Sequence, residues 1–165
     1  MESKVILITG SSDGIGKETA KALAMQGHTI IMHGRDKEKT QTAREEIALK
    51  SGNDKIDMFI ADFLSLAEVK RFADQIKRKY DHLDVLINNA GAQFTGTRET
   101  TNEGHEKTMA VNVFAPFPLT NLLLVLLKKS KSARVVTVSS AAHKMGGKPP
   151  LDDIELEHHY SMSRA

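Results

Sequence analysis

The 165-residue chain is long enough for one domain and too short for two domains of ordinary size. Its 23 Lys and Arg nearly balance 21 Asp and Glu, and a net charge of +2 does not point to nucleic acid or an anionic membrane as a partner. The absence of Cys excludes disulfides, thiolate catalysis and Cys-ligated metal centres. The longest apolar run, Leu122 to Leu127, is too short to cross a bilayer. We therefore expect one cytoplasmic domain over residues 1–165, without a transmembrane segment.

Short β-branched runs alternate with longer amphipathic stretches along the chain. The first run, Val5 to Ile8, is apolar at every position, which is typical of a strand buried on both faces of a parallel sheet. Strict alternation of strands and helices predicts a doubly wound α/β fold with a parallel sheet. The predicted strands cover residues 5–8, 28–33, 56–60, 83–87 and 134–138, and the predicted helices cover residues 14–26, 36–50, 65–79 and 102–128.

A glycine-rich turn connects the first predicted strand to the first predicted helix. It begins at Thr9 and has the spacing G-x-x-x-G-x-G, a variant of the dinucleotide-binding fingerprint. Glycines let the backbone approach a pyrophosphate, and the free N–H groups at the start of a helix attract anions. A plain strand–helix turn is the alternative, whereas Glu18 after Gly16-Lys17 argues against a Walker loop. The residues expected to bind the pyrophosphate are Gly10, Ser12, Asp13, Gly14, Ile15 and Gly16.

Arg35 and Asp36 follow the second predicted strand, about twenty residues beyond the glycines. An acid at this place binds the ribose 2′-hydroxyl of NAD, whereas a base binds the 2′-phosphate of NADP. Arg35 comes first, and Asp36 can instead cap the following helix. The pattern favours NADP over NAD as the coenzyme, with NAD left open. A solvated surface position is the alternative for Arg35.

Three later motifs, together with the glycine turn, resemble those of the short-chain dehydrogenase/reductase family. Asn88-Asn89-Ala90-Gly91 follows the fourth strand, Val111-Asn112-Val113 lies in the long helix, and Val-Val-Thr-Val-Ser-Ser closes the fifth strand. The motifs stand in the family's order and cover nearly the whole chain. The resemblance implies a Rossmann-type fold and hydride transfer between a nicotinamide coenzyme and a small-molecule carbonyl or alcohol substrate.

The resemblance also implies roles on the coenzyme side. Asn89, Ala90 and Gly91 match the segment that stabilises the central sheet and lines the coenzyme site. Asp62 matches the acidic position that contacts the adenine ring, with Phe63 beside it. The alternative for Asn89 is a cap at the end of its strand.

Two residues match the family's substrate side. Ser140 matches the serine that binds the substrate oxygen, and Asn112 matches the asparagine whose main-chain carbonyl holds a water in the proton relay. Pro116 has no N–H to donate to the carbonyl of Asn112, so the helix should bend here and leave that carbonyl free. A bend that only shapes packing is the alternative.

The family's proton donor, Tyr-x-x-x-Lys, does not occur in this chain. Its closest match is Tyr160 with Arg164, twenty residues beyond Ser140. Either Tyr160 is a degenerate active-site tyrosine or the motif lies beyond Ala165. The spacing favours the second interpretation, in which the fold is truncated after the fifth strand. A non-catalytic, nucleotide-binding regulatory protein of the same fold is the alternative function.

The segment after Ser140 resembles the retinol-dehydrogenase-like branch of the family, which favours a lipophilic substrate. His158 and His159 lie near four acidic residues, but without a helical His-x-x-x-His pair or a Cys we expect no metal site. A leucine stripe from Leu119 to Leu126 is expected in the core. The corresponding helix often forms subunit interfaces in the family, so the resemblance allows a homodimer or homotetramer.

Overall fold

The computed structural model describes residues 2–144, 147–148 and 150–161 and contains a five-stranded parallel sheet. The strands lie in the order β3-β2-β1-β4-β5. The chain therefore winds outward in one direction from β1 to β3 and in the other from β4 to β5. This order confirms the predicted doubly wound fold and places a topological switch point between β1 and β4. The strand bounds are β1 Val5–Ile8, β2 Thr29–Gly34, β3 Ile56–Ile60, β4 Val85–Asn88 and β5 Arg134–Thr137.

Helices cover both faces of the sheet, and their ends follow local capping rules. The Asp36 side chain accepts a hydrogen bond from the Lys39 N–H at the start of α2, and Ser65 does the same for Glu68 at the start of α3. Gly52, in the left-handed conformation with φ +65°, ends α2. The helices are α1 Gly14–Met25, α2 Lys37–Ser51, α3 Leu66–Lys79, α4 Lys107–Met109 and α5 Pro116–Leu127.

Two apolar cores lie on opposite faces of the sheet. Ile6 and Ile8 of β1 pack with residues of α1 and α2, whereas Leu7 packs with residues of α3 and α5 on the other face. All three side chains are buried, as expected for a central parallel strand. Val135 and Val136 of β5 are nearly half exposed, at 45% and 44%. Within the described residues, no α-helix follows β5 to cover these two side chains.

The long helix predicted from Asn102 begins later, at Lys107, so the predicted start was wrong. An isolated antiparallel bridge between Thr100 and Glu106 occupies the preceding backbone. The Glu106 carboxylate then accepts the Met109 N–H at 2.7 Å and caps α4. The residues from Asn102 to Glu106, which the sequence pattern predicts to be helical, thus belong to the loop between β4 and α4.

The helix departs from α-geometry where the prolines predict an irregularity. A π-helical segment, Ala110–Phe114, joins α4 to α5, and the Ala115 N–H donates to the Ala110 carbonyl at 2.8 Å. Pro116 cannot supply the α-helical donor for the Asn112 carbonyl. Helical inserts of this kind accommodate the missing bond without ending the helix.

The helical run Lys107–Leu127 has a mean hydropathy of 1.9 and is long and apolar enough to cross a membrane by length and composition. Judging membrane-spanning potential from the longest uninterrupted apolar run, Leu122 to Leu127, therefore overlooked this longer helix, whose apolar residues are interrupted by a few polar ones. Buried helices in protein cores meet the same criteria, and Leu119 and Leu123 of this run are fully buried in the α3–α5 core. The run is weak evidence for a membrane segment.

Candidate coenzyme-binding site

A cavity of about 530 Å³ opens at the carboxyl ends of the parallel strands. It lies across the switch point between β1 and β4, where doubly wound sheets bind ligands. All twelve residues predicted to contact the coenzyme line it. They are Gly10, Ser12, Asp13, Gly14, Ile15, Gly16, Arg35, Asp62, Phe63, Asn89, Ala90 and Gly91. The structure brings these residues together; their contacts with a coenzyme stay predictions.

Two glycines are required by the packing of the turn itself. A Cβ on Gly16 would lie 2.3 Å from the Gly10 carbonyl oxygen and 2.4 Å from the Asn89 side-chain nitrogen. Gly10 has φ +64°, and a Cβ there would lie 2.8 Å from the Ala90 Cα. Any larger residue at either position would push the turn away from the loop after β4.

The N-terminus of α1 faces the cavity. The earliest helical hydrogen bond runs from the Lys17 N–H to the Asp13 carbonyl, at 3.1 Å. The amides of Ile15 and Gly16 come before that bond and belong to the part of the helix that has no intrahelical acceptor. These amides and the positive end of the helix dipole suit an anion.

A side-chain network joins the glycine turn to the loop after β4. The Asn89 side-chain amide donates to the carbonyls of Thr9 and Gly10 at 2.8 and 3.0 Å. The Thr9 hydroxyl accepts the N–H groups of Asn89 and Ala90 at 3.0 and 2.9 Å. These bonds fix the two walls of the cavity relative to each other.

His33, at the end of β2, also lines the cavity and was not predicted as a site residue. The Gly10 N–H donates to His33 Nδ1 at 3.1 Å, and Nε2 lies 3.1 Å from the Ala61 carbonyl. The ring stacks on Phe63 with centroids 4.1 Å apart. Burial lowers the pKa of His33 to about 4. A titratable residue directly after the apolar run Ile30 to Met32 was the sequence signal for it.

The charged edge of the cavity contains Arg35 and Lys39. Asp36 Oδ1 accepts the Lys39 N–H at 2.9 Å, so Asp36 acts as the helix cap. The Lys39 ammonium lies 2.6 Å from Asp13 Oδ2, and this hydrogen bond lowers the pKa of Asp13 below its usual value. Sequence reasoning missed Lys39 because its place on a charged helix resembles a solvated face.

The predicted adenine-side residues follow β3. Phe63 is buried, and the Asp62 carboxylate accepts the Leu64 N–H at 3.0 Å. The Asp62 N–H in turn donates to the Glu68 carboxylate at 2.7 Å. The helix cap region of α3 thereby holds the Asp62 backbone in place.

The predicted catalytic residues Ser140, Asn112 and Tyr160 are outside the lining of the cavity, but each lies close to a lining residue, along the chain or in space. Ser140 is exposed and lies two residues after Val138, and Asn112 follows Val111. The Asn112 side chain exchanges two hydrogen bonds with the Ala92 backbone, at 2.9 and 2.8 Å. Ser140 and Asn112 thus lie within two residues of the cavity lining along the chain, and their catalytic roles stay predictions.

The Tyr160 hydroxyl lies 3.5 Å from the carbonyl oxygen of Phe94, another lining residue. Burial and the negative charges of Glu106 and Glu99 raise the pKa of Tyr160. A family-type proton donor needs the opposite shift. Arg164, the other member of the predicted pair, lies outside the described residues.

Within residues 2–144, 147–148 and 150–161, no three His, Cys, Asp or Glu side chains are grouped as a metal site requires. The pair His158 and His159 belongs to this part of the chain.

Known proteins resemble the chain over nearly its whole length. The family described as short chain dehydrogenase matches residues 4–149, and the chain belongs to this family. Human polyprenol dehydrogenase is 39% identical, over 96% of this chain and 48% of its own length. Human retinol dehydrogenase 11 is also 39% identical, over 88% of this chain and 46% of its own. The chain thus spans about half the length of these relatives.

Solved structures agree with this assignment. A short chain dehydrogenase from Escherichia coli CFT073, complexed with NADPH, has a TM-score of 0.77 and 35% identity. The match covers 88% of this chain and 62% of that one.

Proposed function

We propose that the protein binds NADP(H) in the cavity and catalyses hydride transfer to or from a carbonyl or alcohol carbon of a lipophilic small molecule. The observation that carries the proposal is the joining of the glycine turn, the α1 N-terminus and the Asn89-Ala90-Gly91 loop around one cavity at the switch point. When bound, the nicotinamide ring supplies or accepts the hydride.

The cavity residues fit a dinucleotide. The close contacts around Gly10 and Gly16 keep the turn free of side chains, and the amides of Ile15 and Gly16 suit the pyrophosphate. Asp62 and Phe63 would hold the adenine side, while Ala90 and Gly91 would line the path toward the substrate.

Proton transfer to the substrate oxygen needs a group outside this lining. We assign Ser140 to the substrate oxygen and the Asn112 carbonyl to a relay water, as the family resemblance implies. Tyr160 does not line the cavity, and its raised pKa makes its hydroxyl a weaker acid than an ordinary tyrosine. We therefore propose that a Tyr-x-x-x-Lys pair following this segment completes the site.

NADP is favoured over NAD by the charges at the cavity edge. Arg35 and Lys39 both line the cavity, whereas Asp36 does not line it and its carboxylate accepts the Lys39 N–H. Guanidinium and ammonium groups suit a 2′-phosphate, and an acid free to bind the ribose 2′-hydroxyl is what NAD requires. The similar E. coli structure is complexed with NADPH, which is consistent with this choice.

A lipophilic substrate is supported by the relatives. Retinol and polyprenol, named in two of them, are apolar alcohols. A cytoplasmic location and a homodimer or homotetramer form part of the same proposal. Phe117, 72% exposed on α5, offers apolar surface for self-association.

A non-catalytic, nucleotide-binding regulatory role is the second candidate. The raised pKa of Tyr160 favours it if Tyr160 occupies the active-site position. Incubating the protein with NADPH and a panel of aldehydes and ketones separates the two functions. Oxidation of NADPH supports the enzyme, whereas binding without turnover supports the regulatory role.

The coenzyme assignment is tested by titrating NADPH and NADH into the protein and its Arg35→Ser variant. Loss of a charged contact to the 2′-phosphate should weaken NADPH binding by about 10- to 100-fold, with little effect on NADH. Lys37→Met is the matched control, since Lys37 is an exposed cation two residues after Arg35, at the first position of α2, but does not line the cavity. Binding of neither dinucleotide to the folded wild-type protein would contradict the proposed function.

A further inference from the structure

His33 is joined to the glycine turn through both its backbone and its ring. The Ser11 N–H donates to the His33 carbonyl at 2.8 Å, and the His33 N–H donates to the Ser11 hydroxyl at 3.0 Å. The Gly10 N–H adds a third bond, to Nδ1 of the ring. The hydrogen bonding between β1 and β2 therefore extends beyond β1 into the glycine turn.

The hydrogen bonds of the ring specify its tautomer. Nδ1 accepts a backbone N–H, so it carries no proton. The partner of Nε2 is the Ala61 carbonyl, which can only accept, so Nε2 carries the proton. His33 is thus a neutral imidazole that spans from the turn after β1 to the start of the loop after β3.

The surroundings of the ring leave it little freedom. His33 is 3% exposed, and Phe63 and Phe72 lie against it at centroid distances of 4.1 and 4.8 Å. Both of its ring nitrogens are used for backbone groups of the cavity wall. The Gly10 residue is held from the other side by the Asn89 amide at 3.0 Å.

We propose that His33 is a positioning residue for the coenzyme, which sets the distance between the phosphate-binding turn and the adenine-side residues Asp62 and Phe63. The proposal rests on the proposed coenzyme site. One ring holds the Gly10 amide and the Ala61 carbonyl in place, and Asp62 and Phe63 directly follow Ala61. The two halves of the dinucleotide site are thereby aligned before the ligand arrives, which lowers the cost of binding.

The test compares NADPH dissociation constants of the wild-type protein with those of His33→Leu and His33→Gln. Leucine fills space but offers neither an acceptor for Gly10 nor a donor for Ala61, so we expect the Kd to rise about tenfold or more. Glutamine provides one acceptor and one donor and should restore most of the affinity. All titrations are made at a temperature at which circular dichroism shows each variant fully folded.

Ile30→Val is the matched control for a purely structural effect. Ile30 is fully buried in the same strand, on the α1–α2 side, and is not part of the cavity lining. The substitution should lower stability without changing the Kd for NADPH. If Ile30→Val weakens NADPH binding as much as His33→Leu does, the loss of affinity reflects general destabilisation, and the proposal is overturned.

The outcomes separate this proposal from the proposed function. If the wild-type protein binds NADPH and His33→Leu binds it equally well, the role of His33 is wrong and the coenzyme site stands. If the folded wild-type protein binds no NADPH, both are wrong. If His33→Leu does not fold, His33→Asn replaces it, because asparagine keeps an acceptor near Gly10 but is too short for Ala61. An unchanged Kd in that variant equally overturns the proposal.

Discussion

Replacing His33 with glutamine should remove a pH-dependent part of the free energy of unfolding. In the folded protein, burial lowers the pKa of His33 from an ordinary value of 6.5 to about 4. The hydrogen bond to Ala61 and the negative charge of Asp62 oppose this shift but do not cancel it. The neutral ring is therefore favoured by folding.

The sign and size of the effect follow from proton linkage. Between pH 6.5 and 4 the unfolded chain binds a proton at His33 that the native protein does not bind. The contribution of the neutral His33 ring to the free energy of unfolding is complete above the pKa of His33 in the unfolded chain. It is lost as the pH falls toward the pKa of His33 in the folded protein. Each unit of separation corresponds to about 1.4 kcal/mol, so lowering the pH from 7 to 5 should cost about 2 kcal/mol at this residue.

Urea unfolding at pH 7, 6 and 5, with both proteins measured in the same buffers, provides the assay. The other histidines are present in both proteins, and their contributions cancel in the difference. The wild-type protein should lose about 2 kcal/mol more than His33→Gln between pH 7 and 5. Equal losses would show that the ring is not held neutral, and the assigned tautomer with its bond to Gly10 would be wrong.

Two further predictions concern the glycine turn and the charged edge. Gly16→Ala places a methyl group 2.3 Å from the Gly10 carbonyl oxygen and should abolish measurable NADPH binding in calorimetry. Gly27→Ala, at φ +80° with no atom within 4 Å of the added Cβ, should strain the chain but leave NADPH affinity unchanged, and equal effects of the two would refute the packing argument. Asp36→Ala should lower the free energy of unfolding by about 1 kcal/mol through the lost cap and leave the ratio of NADH to NADPH affinity unchanged; a selective loss of NADH affinity would show that Asp36 contacts the ribose.

Most of the fold could be predicted from the sequence because the strong signals are local. The wholly apolar β1 and the caps Asp36 and Ser65 depend on residues a few positions apart. The start of α4 was mistaken because the bridge between Thr100 and Glu106 is a tertiary feature, and periodicity cannot detect it. The doubly wound class, by contrast, followed from the alternation of strands and helices along the chain, whereas the order of the strands comes from the structure.

The candidate site was predictable where backbone chemistry has a sequence motif. The glycine turn and the Asn89 loop are such motifs, and the structure joins them. The role of His33 depends on the pairing of β1 with β2, which puts its ring beside Gly10, and no nearby residues reveal it. Lys39 was missed for a similar reason, since its contact with Asp13 joins two different helices. The proton donor could not be assigned in this way, because the sequence contains no Tyr-x-x-x-Lys motif and its closest match is Tyr160 with Arg164.

The central claim, that the turn after β1 binds the phosphates of a nicotinamide coenzyme, is tested most directly by two-dimensional ¹⁵N–¹H NMR of the protein titrated with NADPH. We expect the largest amide shifts at Ile15 and Gly16, with a second group at Asn89 to Gly91. Shifts confined to another surface, or a spectrum of folded protein that does not change at millimolar NADPH, would contradict it.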